Sequence, residues 1–260
     1  MILDGKCVVV TGAASGIGEA LAGRFAAEGA HLVIADVQED ALRTVARPIE
    51  AFPVRCDVSD ESELAALVDA AEQRYGPIDL FCSNAGIIVP GGAAASDRDW
   101  ERSLAVNVLA HVYAARILLP RMLERGEGYF LNTASAAGLL TQIGSAPYAV
   151  TKHAALAFAE WLAVSYGDRG IKVSVLAPQA VRTAMTAGVE DGGVAGVDGI
   201  LEPDAVADAV VRGLAAESFL ILPHPEVLEY FRRKASDYER WIRGMQRLQA
   251  RFGGPDGLMS

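Results

Sequence analysis

Short apolar runs alternate with longer amphipathic stretches along most of this chain. The apolar runs, mostly rich in β-branched residues, predict strands at 6–10, 31–35, 54–56, 78–82, 129–133, 172–176 and 219–222. The stretches between them have helical spacing and lie at 19–28, 60–75, 97–123, 148–166 and 203–217. Strands and helices that take turns in this way indicate a mostly parallel seven-stranded sheet with helices on both faces. We therefore predict an α/β, doubly wound fold.

No repeat, low-complexity segment or linker divides the chain, so we predict one domain at 1–222. It includes a loop at 183–200 whose glycine-rich composition is typical of a mobile lid beside a ligand site. Residues 223–260 are predicted to form a C-terminal helical extension that carries aromatic and basic side chains. Such a helix could lie on a membrane or a nucleic acid. Because the acidic body offers no continuing basic surface, we expect it to pack on its own domain or on a neighbouring subunit.

Charge and composition narrow the class of partner. The 260 residues carry a formal net charge of −10, with a pI near 4.9, which disfavours nucleic acid and anionic membranes and favours a small molecule. Cys7, Cys56 and Cys82 fall in apolar runs and the four histidines are scattered, so we predict reduced thiols and no metal site. No secretion-type leader and no later apolar run of bilayer length is apparent, so the cytoplasm is the expected location.

A glycine-rich turn follows the first predicted strand. Gly12, Gly16 and Gly18 allow the backbone to turn tightly and to approach a pyrophosphate, whose charge would be met by the N–H groups and dipole at the start of the next helix. The spacing is Gly-x-x-x-Gly-x-Gly rather than the commoner Gly-x-Gly-x-x-Gly. Ordinary turns also use glycine, but the strand and helix on either side favour a dinucleotide site.

Asp36 ends the second predicted strand, 18 residues after Gly18. A carboxylate at this place accepts hydrogen bonds from both hydroxyls of the adenosine ribose and repels a 2′-phosphate. Neither Ser15 nor Val37 offers a cation that could bind such a phosphate. We therefore predict NAD rather than NADP, the alternative being a carboxylate that merely ends a strand.

Tyr148 and Lys152 stand at i and i+4 of a predicted helix, so their side chains share one face. A nearby cation favours the phenolate and lowers the pKa of a tyrosine from about 10 towards the operating pH of an acid/base catalyst. Ser135, upstream of the helix, could orient a substrate oxygen with its hydroxyl. Taken alone, the pair could equally be an amphipathic tyrosine and a solvated lysine.

Signals from separate parts of the chain agree on one edge of the predicted sheet. The residues at the carboxyl ends of strands are Gly12, Asp36, Asp57, Asn84, Ser135 and Pro178. Ligands of parallel sheets bind beyond these ends. This agreement favours a binding and catalytic site over a set of unrelated residues.

Together the motifs resemble those of the short-chain dehydrogenase/reductase family, in its compact single-domain branch, over about residues 6–222. The resemblance implies a Rossmann fold that binds NAD. The implied catalytic tetrad is Asn107, Ser135, Tyr148 and Lys152. The residues implied to bind the dinucleotide are Gly12, Ser15, Gly16, Ile17, Gly18, Asp36, Asp57, Val58, Asn84, Ala85, Gly86, Tyr148, Lys152, Pro178, Val181 and Thr183.

The same resemblance implies a role for each member of the tetrad in hydride transfer between nicotinamide and a carbinol or carbonyl carbon. Tyr148 exchanges the hydroxyl proton, and Ser135 holds the substrate oxygen. Lys152 binds the nicotinamide ribose and depresses the pKa of the tyrosine, while Asn107 kinks its helix so that a water joins the proton relay. A homo-oligomer is also implied, a tetramer rather than a dimer, built through the helices of Asn107 and Tyr148.

The substrate is the part that the sequence constrains least. Gln179 stands where the family usually has glycine, so a larger polar side chain is expected at the nicotinamide or substrate pocket. A hydrophobic secondary alcohol or ketone is favoured by the apolar residues expected nearby, Ile87, Ile88, Val89, Leu139 and Leu140. An NADP-dependent ketone reductase and a non-catalytic dinucleotide-binding regulator remain as alternatives. A regulator should lack part of the tetrad, and a nucleotide-sugar dehydratase or epimerase usually has a larger substrate domain.

Overall fold

A seven-stranded sheet forms the centre of the molecule, and all of its neighbouring strands run parallel. The computed structural model describes residues 1–188 and 190–252. The strands are β1 (Cys7–Thr11), β2 (His31–Asp36), β3 (Phe52–Arg55), β4 (Leu80–Ser83), β5 (Gly128–Thr133), β6 (Ile171–Leu176) and β7 (Leu220–Ile221). Their order, β3-β2-β1-β4-β5-β6-β7, reverses between β1 and β4, which opens a crevice at the carboxyl ends of those strands. The predicted α/β, doubly wound Rossmann fold is confirmed.

Helices cover both faces of the sheet and bury two apolar cores. They are α1 (Gly16–Ala27), α2 (Glu39–Ala46), α3 (Glu61–Tyr75), α4 (Asp97–Leu104), α5 (Ala110–Arg125), α6 (Ala146–Tyr166), α7 (Pro203–Ala215), α8 (Glu226–Ser236) and α9 (Tyr238–Phe252). One core holds Leu67 and Leu118, and the other holds Phe25 and Val210. The hydrophobic pattern did not predict α2, because that helix buries little apart from Leu42 and Ala46.

The helix that carries Tyr148 begins at Ala146, two residues before its predicted start. Ser145 caps it, and its hydroxyl accepts the backbone N–H of Tyr148 at 3.2 Å. Pro147 lies in the first turn, where its missing N–H is not needed. The cap therefore fixes Tyr148 in the first turn of α6, at the edge of the crevice.

The predicted helix at 97–123 contains a widened turn. A π-helical segment, Ala105–Leu109, joins α4 to α5. By length and composition the whole run 97–125 is able to cross a membrane, contrary to the expectation that no apolar run reaches that length. In the fold, α5 instead buries Leu118 and Met122 in the core beside the sheet.

Within residues 223–252, the part of the C-terminal extension that the structure describes, there are two helices rather than the single one predicted. The backbone becomes extended at Asp237, between α8 and α9, and the carboxylate of Asp237 accepts the N–H of Arg240 at 2.9 Å. α8 is fixed to the domain by a hydrogen bond of 2.8 Å from the Tyr230 hydroxyl to Asp198. This bond holds α8 against its own domain, and residues of α9 line the cleft.

Candidate active site

A cleft of about 1940 Å³ opens beyond the carboxyl ends of the strands. It exceeds the roughly 300–1,000 Å³ of a pocket for one small ligand, so it has room for a dinucleotide together with a substrate. All the residues predicted to bind the dinucleotide line this cleft. Of the predicted tetrad, Ser135, Tyr148 and Lys152 line it as well, whereas Asn107 lies behind its wall.

The glycine turn forms the floor of the cleft at the start of α1. Gly12 and Gly16 have φ values of +67° and +58°, which side chains disfavour. A Cβ on Gly12 would stand 2.7 Å from the Cα of Ala85, and a Cβ on Gly18 would overlap the carbonyl of Gly12. Only glycine fits this turn, which leaves the first N–H groups of α1 available to an anion.

Asp36 lies at one end of the cleft, where its two carboxylate oxygens accept the N–H groups of Ala14 at 3.1 Å and Gln38 at 3.0 Å. In the register of β2 and β3, Asp36 is aligned with Arg55. That guanidinium donates to Glu63 at 2.8 Å. The sequence did not predict this cation beside Asp36, because strand pairing alone brings it there.

Asn84 ties the central strands together below the cleft. Its side-chain amide donates to the carbonyl of Thr11 at 3.0 Å, and its side-chain oxygen accepts the Thr133 hydroxyl at 3.2 Å. β1, β4 and β5 are therefore joined at their carboxyl ends. A Cβ on Gly86, two residues later, would stand 3.3 Å from Nζ of Lys152. Gly86 thus lets the lysine approach the backbone.

Ser135, Tyr148 and Lys152 meet at the other end of the cleft. The Ser135 hydroxyl accepts the N–H of Ala137 at 3.1 Å and makes a long bond of 3.4 Å to the carbonyl of Pro178. Nζ of Lys152 donates to the carbonyl of Thr133 at 2.9 Å and lies 5.6 Å from the centre of the Tyr148 ring. The sequence pattern and the strand order have brought together the three groups that an acid/base site requires.

Burial dominates the ionisation of both key residues. It raises the pKa of the Tyr148 phenol, and hydrogen bonding with the Ser135 hydroxyl opposes that rise. Burial also lowers the pKa of Lys152 to about 8. The structure therefore does not reproduce the expected lowering of the tyrosine pKa by Lys152. The physical reason is that transferring the phenolate from water into this buried site is unfavourable. The attraction of the Lys152 ammonium, 5.6 Å from the ring centre, does not offset that free energy.

Asn107 acts on the framework of the site. It lies in the π-helical segment and is fully buried. Its amide oxygen accepts the N–H of Ile87, and its amide nitrogen donates to the carbonyl of Ile87, both at 2.9 Å, and to the Thr151 hydroxyl at 3.1 Å. These bonds hold the loop after β4 against α6, which carries Tyr148 and Lys152.

His111 is a residue of this region that the sequence analysis did not single out. Its Nδ1 lies 3.0 Å from the amide oxygen of Asn132, and burial, followed by the charge of Lys152, lowers its pKa to about 4. His111 is therefore neutral at physiological pH behind the lysine. No spacing motif distinguishes it, because its partners are Asn132 on β5 and Lys152 on α6.

The substrate end of the cleft is largely apolar, as expected. Ile87, Ile88 and Leu140 line it, whereas Leu139 lies in the core and the carbonyl of Val89 accepts the Ser145 hydroxyl. Gln179 lines the cleft too, so the predicted polar side chain is present at the pocket. Its backbone N–H donates to Nδ1 of His224 at 3.2 Å.

Comparison with known proteins gives a consistent result. Residues 6–192 match the model of a family described as short chain dehydrogenase. The 1-deoxy-11-beta-hydroxypentalenate dehydrogenase of Streptomyces exfoliatus is 38% identical over 251 residues, which cover 93% of this chain and 91% of that protein. The meso-2,3-butanediol dehydrogenase of Serratia marcescens is 36% identical over 192 residues, covering 72% and 76%. A short chain dehydrogenase/reductase from Burkholderia phymatum in complex with NAD has a TM-score of 0.84 and 31% identity, over 92% of this chain and 96% of its own.

Proposed function

This chain belongs to the short chain dehydrogenase family of NAD(P)-binding oxidoreductases that act on secondary alcohols or ketones, and within it we propose an NAD-dependent enzyme for a hydrophobic substrate. The observation that carries the proposal is the meeting of Tyr148, Ser135 and Lys152 beside the glycine turn, in one cleft large enough for both reactants. This geometry supports the roles that the family resemblance implies for the three residues.

The preference for NAD rests on Asp36. Each of its carboxylate oxygens already accepts one backbone N–H and retains a lone pair for a ribose hydroxyl. A 2′-phosphate in the same place would meet this negative charge, and Arg55, the cation aligned with Asp36, is engaged by Glu63. The glycine turn and the start of α1 would bind the pyrophosphate.

Tyr148 is the proton donor in ketone reduction, and its phenolate is the acceptor in alcohol oxidation. The proton is exchanged with the substrate oxygen; when bound, the nicotinamide would supply the hydride to, or accept it from, the carbon that carries this oxygen. The Ser135 hydroxyl can exchange its long bond to the Pro178 carbonyl for the substrate oxygen, which it would orient towards Tyr148. Lys152 uses one donor on Thr133 and retains two for the nicotinamide ribose. Asn107 is a positioning residue that holds α6 in place.

An apolar secondary alcohol fits the far end of the cleft. Ile87, Ile88 and Leu140 offer no charge there, and Trp241 and Leu248 of α9 close the opposite side. The similar proteins named above act, by their names, on 1-deoxy-11-beta-hydroxypentalenate and on meso-2,3-butanediol.

The test is a screen of alicyclic and open-chain secondary alcohols with NAD, followed by the absorbance of NADH, and of the matching ketones with NADH. We expect turnover by the wild type, and a loss of kcat of at least about a hundredfold in Tyr148→Phe. NAD affinity should change little, since only the proton donor is removed. Tyr113→Phe, which removes a phenol outside the cleft, is the matched control and should keep full activity.

The alternatives give different results in the same assays. A non-catalytic regulator would bind NAD and turn over no alcohol or ketone. Appreciable turnover by Tyr148→Phe would remove this residue from the mechanism. An NADP-dependent reductase would show a higher kcat/KM with NADPH than with NADH in the wild type.

We also propose a homo-oligomer, a tetramer rather than a dimer, built through α4, α5 and α6. On α6, Val150, Trp161 and Val164 are exposed, and Val164 reaches 85%; Leu109 is exposed next to α5. An apolar stripe of this kind is costly to leave in water. Light scattering should give four times the chain mass, and Val164→Glu should lower the mass. A monomeric wild type would refute the proposal.

A further inference from the structure

Helix α9 forms a wall of the cleft that is wide, apolar and aromatic. Trp241, Met245, Leu248 and Phe252 all line the cleft and follow one another at i, i+4, i+7 and i+11, so they share one face of the helix. These four side chains face the cleft and would contact the carbon skeleton of a hydrophobic substrate.

A buried lysine, Lys234, holds helix α9 at the end of the cleft where Ser135 lies. Lys234, at the end of α8, is only 7% exposed, and its Nζ donates to the carbonyls of Leu139 at 2.7 Å and Leu140 at 3.3 Å. Its ammonium also lies 4.9 Å from the centre of the Trp241 ring. Leu139 directly follows the short helical turn that begins after Ser135. Trp241 is thereby held on the Ser135 side of the cleft, away from the Asp36 end.

Two arginines stand on the edge of the same face. Arg240 and Arg247 both line the cleft, and seven helical residues separate them by about 10 Å along the axis. Among the side chains that the structure describes, those of residues 1–188 and 192–252, neither forms an ion pair, in contrast to Arg233, which donates to Glu229 at 2.8 Å. Of the acidic residues at 226–252, Asp237 alone lines the cleft, and its carboxylate accepts the backbone N–H of Arg240. Among the described side chains, Arg233, Arg240 and Arg247 line this wall against one carboxylate, that of Asp237, so positive groups outnumber negative ones here on a chain of net charge −10.

Gly244 leaves a slot between the two arginines. A glycine inside a helix costs about 1 kcal/mol relative to alanine, and here no positive φ requires it. A Cβ on Gly244 would meet a single neighbour within 4 Å, Nη2 of Arg247 at 3.8 Å. The guanidinium of Arg247 therefore folds back over the glycine, beside an open surface that faces the cleft.

We propose that α9 recognises the substrate, and that the substrate is a hydrophobic secondary alcohol or ketone carrying a carboxylate, which Arg240 and Arg247 bind across the slot at Gly244. The inference rests on the proposed function and adds its substrate class. Arginine suits this role because its planar donors match a carboxylate, and the apolar face beside it binds the ring skeleton.

The experiment compares acids with their neutral esters. Cholate, methyl cholate, 3-hydroxycyclohexanecarboxylate and its methyl ester are titrated calorimetrically into the full-length protein at low ionic strength, with and without NADH. We expect each acid to bind at least about tenfold more tightly than its ester. Arg240→Gln combined with Arg247→Gln should abolish that preference. A control that removes the same two charges outside the cleft, Arg232→Gln combined with Arg243→Gln, should retain it.

Each other outcome overturns the inference. Equal binding of acid and ester by the wild type, no binding of either, or an equal loss in the control would each do so. A weaker NADH affinity in Arg240→Gln/Arg247→Gln, with the acid preference intact, would assign these arginines to the cofactor pyrophosphate instead. Failure of the proposed function is seen separately, as the absence of any NAD-linked turnover in the alcohol screen.

Discussion

Replacing Asp36 by asparagine tests the cofactor preference most directly. The carboxylate lies partly exposed at the end of β2, and its oxygens accept the N–H groups of Ala14 and Gln38. Asparagine keeps one acceptor oxygen and the shape of the side chain, but it removes the negative charge. The variant therefore removes the repulsion of a 2′-phosphate, and it also weakens the hydrogen bonding of this side chain, because the amide nitrogen of asparagine cannot accept an N–H or a hydroxyl.

The expected magnitude follows from Coulomb's law. Two unit charges about 4 Å apart interact with about 1 kcal/mol in water and about 4 kcal/mol at an effective dielectric constant of 20. Because Asp36 is partly exposed, the lower half of that range applies, so repulsion alone gives NAD an advantage of about tenfold to a hundredfold. Asp36→Asn should raise kcat/KM for NADP by at least about tenfold. It should lower kcat/KM for NAD by a similar factor, as a charge-assisted bond to the ribose is weakened.

The assay measures kcat/KM for NAD and NADP with one alcohol at one ionic strength. Asp40→Asn, which removes the same charge from the exposed surface of α2 outside the cleft, is the control and should leave the ratio unchanged. A wild type that prefers NADP would refute the reasoning. So would an Asp36→Asn variant whose ratio stays within about twofold of the wild type, because the carboxylate would then not be the discriminating group.

Three further measurements test other parts of the structure. Gly18→Ala should lose NAD binding and about 2 kcal/mol of stability by overlap with the Gly12 carbonyl, whereas Gly23→Ala, with open space around its Cβ, should raise Tm by about 2–4 °C. Since the folded pKa of Lys152, about 8, lies below its usual 10.5, the folded protein binds fewer protons between those values. The quantity to measure is the free energy of unfolding of the wild type minus that of Lys152→Met, because the contribution of the buried thiols is the same in both proteins and cancels. This difference should rise by about 3 kcal/mol from pH 8 to 10.5. Deleting residues from Glu226 onward should raise KM for the alcohol or dissociate the oligomer, and unchanged kinetics and mass would reject a role for the extension.

Most of the fold was predictable because its signals are local. The strands around Val9 and Phe130 are continuous apolar runs because both faces of the sheet are covered, and their alternation with helices reduces the possible topologies to a few. The start of α3 is also set locally, since the carboxylate of Asp60 accepts the N–H of Ser62 at 2.8 Å. Helix α2 was missed for the converse reason. It lies on the surface with two buried residues, too few to set a pattern.

In the active site, the residue types could be predicted but not their electrostatics. The i, i+4 spacing places Lys152 beside Tyr148, yet it says nothing about how much water surrounds them. That depends on the walls that β5, α5 and the loop after β4 contribute. Burial consequently raises the pKa of the Tyr148 phenol, whereas the spacing alone suggested a decrease. Burial also lowers the pKa of His111, which lies behind the lysine as a neutral imidazole. Arg55 beside Asp36 is a similar case, since its position comes from the pairing of β2 with β3.

The extension illustrates why composition alone cannot assign a role to a charged residue. Lys234 and Arg240 belong to the same basic, aromatic stretch, and the sequence offers no means of telling them apart. The partners of Lys234 are carbonyls about 95 residues earlier in the chain, and its burial is tolerated because those carbonyls and the Trp241 ring replace water around the ammonium. Arg240 remains at the cleft surface, where a bound ligand would meet it. One cation thus fixes the wall on which the other is displayed, so Lys234→Met should weaken the binding of acid and ester probes alike, whereas loss of the arginines should affect the acids alone.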